Sequence, residues 1–309
     1  MSRRLRLRHG PGARGTRAVA AVALLSGVLA GCGASETTEP APSSAVSLQV
    51  QPTNTVLLTG VDRLGVALLD GQGRPVSGAH AVMRVTGAGV DENRPLANIG
   101  PEYGSIPVYT GTAAFPQVGV YDLAVAVDLG GGRSGSGKVA VRVTNSGPEL
   151  PVGAHVPAVP PIRQPILGDP GVTIDRIDSG VPPDPWHTAT VADGLAQHRP
   201  MVLYFGAPGF CTSRTCGPTV QVLRQLAQRY GDRLLLEHIE TRIPPGLTGP
   251  ANPAFEAFGL QTDPWIYFVN AAGVVADRFE GPVTLDELSS AADGTLAGRV
   301  PAVQVSLNG

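Results

Sequence analysis

Residues 201–218 read MVLYFGAPGFCTSRTCGP. The opening MVLYFGAP is a short apolar run with the length and composition of a buried strand. After the second cysteine the period changes. In GPTVQVLRQLAQRYGD (217–232), Val220, Val222, Leu223, Leu226 and Tyr230 fall on one helical face, and Gly231 is the stop. The loop between strand and helix holds Cys211 and Cys216, five positions apart. Residues five apart in a regular helix have Cα atoms roughly 8–9 Å apart, whereas a disulfide needs about 7 Å or less. In an oxidised pair, therefore, Cys211 lies in the loop and Cys216 near the helix start, with Pro218 in the first turn. Such a pair is a redox couple, a metal clamp or a structural staple, and compartment and surroundings decide which.

The N-terminus speaks for the compartment. MSRRLRLRHGPGARGTR carries six arginines and no acid, and an apolar run from Ala18 to Gly31 follows, too short to span a bilayer. It ends in Leu29-Ala30-Gly31-Cys32, which resembles the lipobox of bacterial lipoproteins. That resemblance implies cleavage before Cys32, diacylation of its sulfur by palmitate-type chains, and a protein lipid-anchored to the cell membrane on its extracytoplasmic face. Two acyl chains anchor stably. Loss of residues 1–31 leaves 17 basic residues against 25 acidic ones, a balance of about −8 without long runs of one sign. Nothing in that balance suggests a nucleic-acid partner. With Cys32 committed to lipid, Cys211 and Cys216 remain as a pair where disulfides persist.

Residues 32–45 read as a polar Ser/Thr/Pro tether. From 46 to 147 the pattern is β: VSLQV, RLGVALLD, AHAVMRVTG, VYDLAVAVDL and KVAVRVTN alternate or run apolar, punctuated by DGQGRP and by GGGRSGSG as a hairpin tip. About seven short strands fit an antiparallel sandwich. The stretch from Phe115 to Asn145 resembles the last strands of small immunoglobulin-like modules on exported bacterial proteins. His80 and Met83 lie three apart and hence on opposite faces, which makes Met83 core and His80 surface rather than a copper site. Residues 148–185 contain ten prolines, which exclude helix and central strand. They form a linker or a strap, with Ile162, Ile166, Leu167 and Val172 available for docking.

From residue 186 to 309 the elements read α-β-α-β-α-β-β-α: ATVADGLAQHRP, MVLYFGAP, the helix after Cys216, RLLLEHIE, NPAFEAFGL, a hairpin about Asn270 to Gly273, and TLDELSSAADGTL capped by Thr284. That order, with a cysteine at a strand-to-helix junction, resembles the thioredoxin-like fold. YFGAPGFCTSRTCGP occupies the place of its active-site loop, TDPWIYFVNAAGVV looks like the segment in which a cis-proline precedes a strand, and VVADRFEG resembles the strand that follows. The combination is similar to exported actinobacterial proteins with a C-x-x-x-x-C loop. The fold expected is thus an α/β thioredoxin-like domain, a central mixed sheet flanked by helices, preceded by an all-β immunoglobulin-like sandwich.

The resemblance implies thiol–disulfide exchange on exported protein thiols or with a membrane electron donor, without a cofactor. Cys211 takes the nucleophile's place, Cys216 the resolving thiol's, and Pro264 becomes the cis-proline. A shifted register would instead make Cys216 the nucleophile, with Thr219 in its partner's place. Arg214 between the cysteines and the positive end of the helix favour a thiolate, while Asp263, before Pro264, opposes one. Tyr204 stands where thioredoxins bury a proton-shuttling Asp. Two other readings stay open: a copper(I) site of Cys211, Cys216 and His238, and a disulfide that only staples a scaffold. Trp186 and Trp265 read as packing against the cysteine loop and strap, and Glu237 and Glu240 flank His238 at strand spacing.

Overall fold

A computed structural model describes residues 45–78, 80–103, 107–157 and 165–299. The expected signal segment, Cys32, residues 33–44 of the tether and Ile162 lie outside the described residues. Among those described, no helix is long and apolar enough to cross a membrane.

The N-terminal half is built from β1 (Ala45–Ser47), β2 (Gln49–Pro52), β3 (Leu57–Leu58), β4 (Gly60–Leu69), β5 (His80–Gly87), β6 (Val90–Asn98), β7 (Val108–Phe115), β8 (Gly119–Gly130) and β9 (Arg133–Thr144). They are hydrogen-bonded in the order β1-β9-β8-β5-β6-β7-β4-β2, with β3 beside β9. β6 pairs with β5 over most of its length and with β7 through Ala97 and Asn98, which makes one continuous path. Alternation sets the faces: in β8, Tyr121, Leu123, Val125 and Val127 are buried while their neighbours are exposed. These side chains share one core with Leu64, Val66, Leu68, Met83 and Phe115. Met83 is buried and His80 exposed, as their spacing requires.

About seven strands are expected here and nine are found, because residues 45–58 contribute three short strands rather than one. The expected hairpin tip is also shorter than GGGRSGSG. The turn lies at Gly131 and Gly132, both at positive φ, and β9 already begins at Arg133. Gly135 lies within β9, where a Cβ would meet Leu48 Cδ1 at 2.8 Å, so glycine there admits the neighbouring segment.

The C-terminal half follows the expected element order: α1 (Val191–Ala196), β10 (Met201–Phe205), α2 (Cys216–Tyr230), β11 (Leu235–Ile239), α3 (Pro253–Ala257), β12 (Trp265–Val269), β13 (Val275–Glu280) and α4 (Leu285–Leu296). The sheet runs β11-β10-β12-β13, with β10 and β11 parallel and the other pairs antiparallel. Strands buried on both faces read as continuous apolar runs, and MVLYF and WIYFV are buried at every position. Val202, Tyr204, Ile266 and Phe268 pack with Leu223 and Leu226 of α2 and Leu288 and Ala292 of α4. Leu203, Phe205, Trp265 and Tyr267 face the other way, toward Val191 of α1 and Ala254 and Phe255 of α3. This is a mixed sheet between two helical layers. Truncating a central residue such as Leu226 to Ala would cost about 2–5 kcal/mol.

The Pro-rich segment is a strap. Gly153 N donates to Val275 O at 2.8 Å and Val156 N to Gly273 O at 2.8 Å, so the segment edges onto β13 and its turn. Its buried apolar anchors are Val156 and Ile177. Of the docking residues expected, Leu167 is exposed and Ile166 and Val172 only half-buried.

The two halves are stitched together. Arg63 Nε donates to Glu287 Oε1 at 2.7 Å and Thr55 Oγ1 to Glu280 Oε1 at 2.6 Å. Tyr103 enters the core of the C-terminal half, where its hydroxyl lies 3.2 Å from Thr219 Oγ1 and accepts from Val283 N at 2.8 Å.

Candidate functional site

Cys211 and Cys216 are joined by a disulfide, with Cα atoms 6.0 Å apart. Cys216 is the first residue of α2 and fully buried, while Cys211 lies in the loop and is half-buried. Cys216 N donates to Cys211 Sγ at 3.4 Å, and Ser213 Oγ lies 3.1 Å from the same sulfur. Ser213 Oγ is in turn 2.8 Å from Thr215 Oγ1. Donors at a helix start favour negative charge on the atom they face, and here that atom is Sγ of Cys211. Ser213 was not singled out in the sequence; the hydroxyls of CTSRTC were its only trace.

Arg214 lies between the two cysteines, as its position requires. It turns the loop at φ +62°, an uncommon conformation for a residue other than glycine, and is exposed. Among the described residues its guanidinium makes no hydrogen bond or ion pair. Its backbone N–H donates to the Cys211 carbonyl at 3.3 Å.

The Asp263–Pro264 peptide is cis. Trp265, next in the chain, begins β12 and pairs with Phe205 at the end of β10, so Asp263 and Pro264 stand beside the cysteine loop. Asp263 Oδ2 accepts from Ala207 N at 3.2 Å and lies 3.3 Å from Cys216 Sγ. Burial pushes the Asp263 carboxyl above its ordinary value, against the Ala207 N–H, which favours the anion. Asp263 was expected to act chiefly on Cys211; its carboxylate stands within 4.8 Å of both sulfurs and touches that of Cys216. Tyr204 is buried, and its hydroxyl donates to the Cys216 carbonyl at 3.0 Å, tying β10 to the start of α2. Burial holds this phenol well above its ordinary pKa. The carboxylate nearest the buried sulfur therefore comes from the cis-proline loop rather than from the strand.

His238 does not join the cysteines. Its ring belongs to a second, fully buried group with Asp178, Asp184 and His187, whose ligand-capable atoms all lie within 4.8 Å of one another. The Cys211, Cys216 and His238 set is therefore not assembled. The parallel pairing of β10 with β11 places His238 opposite Tyr204, whose ring lies 4.9 Å from the imidazole, and β11 points His238 at the strap. His187 Nε2 is 3.1 Å from Asp178 Oδ2 and 3.3 Å from Asp184 Oδ1. His238 Nδ1 is 2.9 Å from Asp184 Oδ2, and its Nε2 is 3.0 Å from Gly206 O. Burial opposes charge on all four, yet the facing partners hold both carboxyls below and both imidazoles above their ordinary values. Asp178, Asp184 and His187 went unread in the sequence, their only trace being three polar residues among prolines. Nearby, Glu240 is buried and accepts from Ser179 N at 2.7 Å, and Glu237 is buried in β11.

The tryptophans divide between the two faces of the sheet. Trp186 packs, with Cys211, against the core that contains Cys216, whereas Trp265 lies on the opposite face, stacked on Tyr267 among residues that include Val156 of the strap.

No family model matches the chain, and no curated protein matches it in sequence. Among solved structures it is similar to a thiol:disulfide interchange protein of the thioredoxin family from Chlorobium tepidum TLS, at 13% identity over 39% of this chain and 92% of that one, TM-score 0.29. It is similar to MTB DsbF, in mixed oxidized and reduced forms, at 20% identity over 40% of this chain and 98% of that one, TM-score 0.28. It is also similar to the PKD domain of the human receptor SorCS2, at 16% identity over 41% of this chain and 98% of that one, TM-score 0.21. At these scores the likeness by itself assigns no activity.

Proposed function

We propose that the chain is a thiol–disulfide oxidoreductase, held by a lipid on Cys32 at the extracytoplasmic face of the cell membrane, with an immunoglobulin-like module ahead of its thioredoxin-like domain. One observation carries the redox reading: a disulfide at the strand-to-helix junction whose outer sulfur, on half-buried Cys211, faces an N–H and a hydroxyl, while its inner sulfur, on buried Cys216, touches a carboxylate. A bridge serving only as a staple needs neither the donors on one sulfur nor the carboxylate on the other.

In the reducing direction, the Cys211 thiolate attacks one sulfur of a substrate disulfide. A Cys211–substrate bond forms, and the other substrate sulfur leaves as thiolate and takes a proton from water. Asp263 then accepts the proton of the Cys216 thiol, and the Cys216 thiolate attacks Cys211 Sγ. The second substrate sulfur is expelled, the substrate has gained two electrons, and the Cys211–Cys216 disulfide remains. The reverse sequence oxidises a dithiol. Pro264 presents the backbone edge along which an extended substrate segment lies, and no cofactor takes part. Partners are exported protein thiols or a membrane electron donor.

Cys216→Ser tests this directly. It should accumulate mixed disulfides through Cys211, recovered by acid trapping and mass spectrometry, while Cys211→Ser should not. The couple should also be reducible well above the roughly −300 mV below which structural bridges lie. A potential in the structural range with no trapped adduct would leave a scaffold with a staple. Cys32→Ser should release the chain from the membrane fraction.

A further inference from the structure

The Asp178, Asp184, His187 and His238 group takes no part in the exchange chemistry proposed above, and its construction is that of a ligand set. Two imidazole nitrogens and carboxylate oxygens from two aspartates converge from two places in the fold. Asp178, Asp184 and His187 come from the end of the strap, and His238 comes from β11. All four residues are buried: relative exposure is 0% for His238, 1% for His187, 4% for Asp178 and 5% for Asp184.

The spacing is that of a coordination shell. A tetrahedral zinc ion with N and O ligands at about 2.0–2.1 Å requires ligand atoms about 3.3–3.4 Å apart. The separations here are 3.1 Å for His187 Nε2 to Asp178 Oδ2 and 3.3 Å for His187 Nε2 to Asp184 Oδ1. They are 2.9 Å for His238 Nδ1 to Asp184 Oδ2 and 3.7 Å for His238 Nδ1 to Asp178 Oδ2. All four ligand atoms lie within 4.8 Å of one another, so side-chain movements of up to about 1.5 Å would close the shell.

The second observation is His238 Nδ1 itself. It belongs to a residue with no solvent exposure and faces the group, 2.9 Å from Asp184 Oδ2 and 3.7 Å from Asp178 Oδ2. The other ring nitrogen is 3.0 Å from Gly206 O, which orients Nε2–H toward that carbonyl and presents the Nδ1 lone pair to the group. Metal-bound histidines are held in this way, with the second ring N–H donated to a backbone carbonyl. The carboxylates are oriented too: Asp178 Oδ1 accepts from Gly180 N at 2.6 Å, Asp178 Oδ2 from Asp184 N at 2.8 Å, and Asp184 Oδ1 from Trp186 N at 3.1 Å.

We propose that Asp178, Asp184, His187 and His238 bind one zinc ion in a closed, four-ligand structural site that clamps the strap to β11. Borderline N and O donors in a tetrahedral arrangement select zinc, and the absence of thiolate or thioether from the set disfavours copper(I). Two carboxylates neutralise the dication, so the buried site carries no net charge with both imidazoles neutral. Gly206, whose carbonyl orients His238, immediately precedes Ala207, whose N–H holds Asp263, so the clamp underlies the floor of the cysteine loop.

The test uses the full chain, purified without metal-affinity resin, supplied with zinc and gel-filtered, with zinc measured per chain by atomic emission. One zinc per chain is expected in the native protein and in Cys211→Ser/Cys216→Ser, falling at least tenfold in His187→Gln and in Asp184→Asn. Cobalt(II) supplied instead should give the visible bands of a tetrahedral N/O site without sulfur charge transfer, a readout that needs no variant. Zinc should raise the melting temperature of the native chain, and magnesium should not. No zinc retained by the native chain, zinc lost only with the cysteines, or octahedral cobalt bands would each overturn the proposal. Failure of Cys216→Ser to trap partners would leave this site untouched.

Discussion

Asp263 sets Oδ2 3.3 Å from Sγ of Cys216, the sulfur that solvent does not reach. The same oxygen accepts from Ala207 N, so the carboxylate is anchored two residues past the end of β10 while it faces the first residue of α2. Reduction of the disulfide would give the Cys216 thiol an acceptor already in place. The carboxylate thus faces Cys216 most directly while standing within 4.8 Å of the Cys211 sulfur as well.

For Asp263→Asn, the first attack by Cys211 should change little, while release of the mixed disulfide slows by roughly 10²-fold, the lower range of a positioned general base. Quenched-flow gels that follow the adduct against time resolve the two steps. Equal rates of adduct decay in variant and parent would reduce Asp263 to a support for Ala207.

Ser213→Ala removes the hydroxyl 3.1 Å from Cys211 Sγ. A hydrogen bond worth about 0.5–1.5 kcal/mol corresponds to a slowing of Cys211 alkylation by roughly two- to tenfold near neutral pH. Iodoacetamide rates on the reduced protein report this, with Arg214→Ala as the comparison expected to change little.

Tyr103 belongs by sequence to the N-terminal half and by packing to the C-terminal core. Tyr103→Phe leaves the Val283 N–H without its acceptor and should cost about 1–3 kcal/mol. Tyr103→Ala should cost about 3–5 kcal/mol. Urea unfolding followed through α2 and α4 checks this, and a loss confined to the β-rich half would contradict the shared core.

Burial pushes the Asp277 carboxyl up to about 6, against its contact with Arg278 N and the charge of Arg63. The folded state then holds the proton more tightly than the unfolded state, whose value is 3.8. Below the unfolded value both states are protonated and ionisation carries no cost; the cost grows as pH rises and is complete above the folded value. Asp277→Asn should therefore stabilise the protein by about 1–2 kcal/mol at pH near 8, allowing for partial exposure of the side chain. The gain should vanish near pH 3.5. Denaturation midpoints at the two pH values decide it, and an equal gain at both would assign the effect to packing.

Much of the C-terminal half was legible because its rules are local. MVLYF and WIYFV are apolar at every position, as strands covered on both faces must be. Thr190 and Thr284 begin helices by capping boxes three residues deep. The cysteine spacing itself excluded a helical pair and placed Cys216 at the helix start. In the β-rich half, alternation placed Met83 inside and His80 outside, but it did not show that residues 45–58 would break into three strands.

Sequence alone therefore determined the element order and the place of the disulfide at a strand-to-helix junction, and its prolines kept the described residues of 148–185 free of α-helix and central strand, apart from one short 3-10 turn at Ile174–Arg176. Each follows from spacing within a few residues. Tertiary structure decided which sulfur Asp263 touches, which core receives Tyr103, and that His238 turns to Asp178, Asp184 and His187 instead of the cysteines. Those partners lie between 47 and 180 residues apart for Asp263 and Cys216 and for Tyr103 and Val283, and 54 apart for His238 and Asp184. No local pattern specifies such contacts, because they exist only once β10 and β11 pair in parallel and the strap is pressed onto their ends.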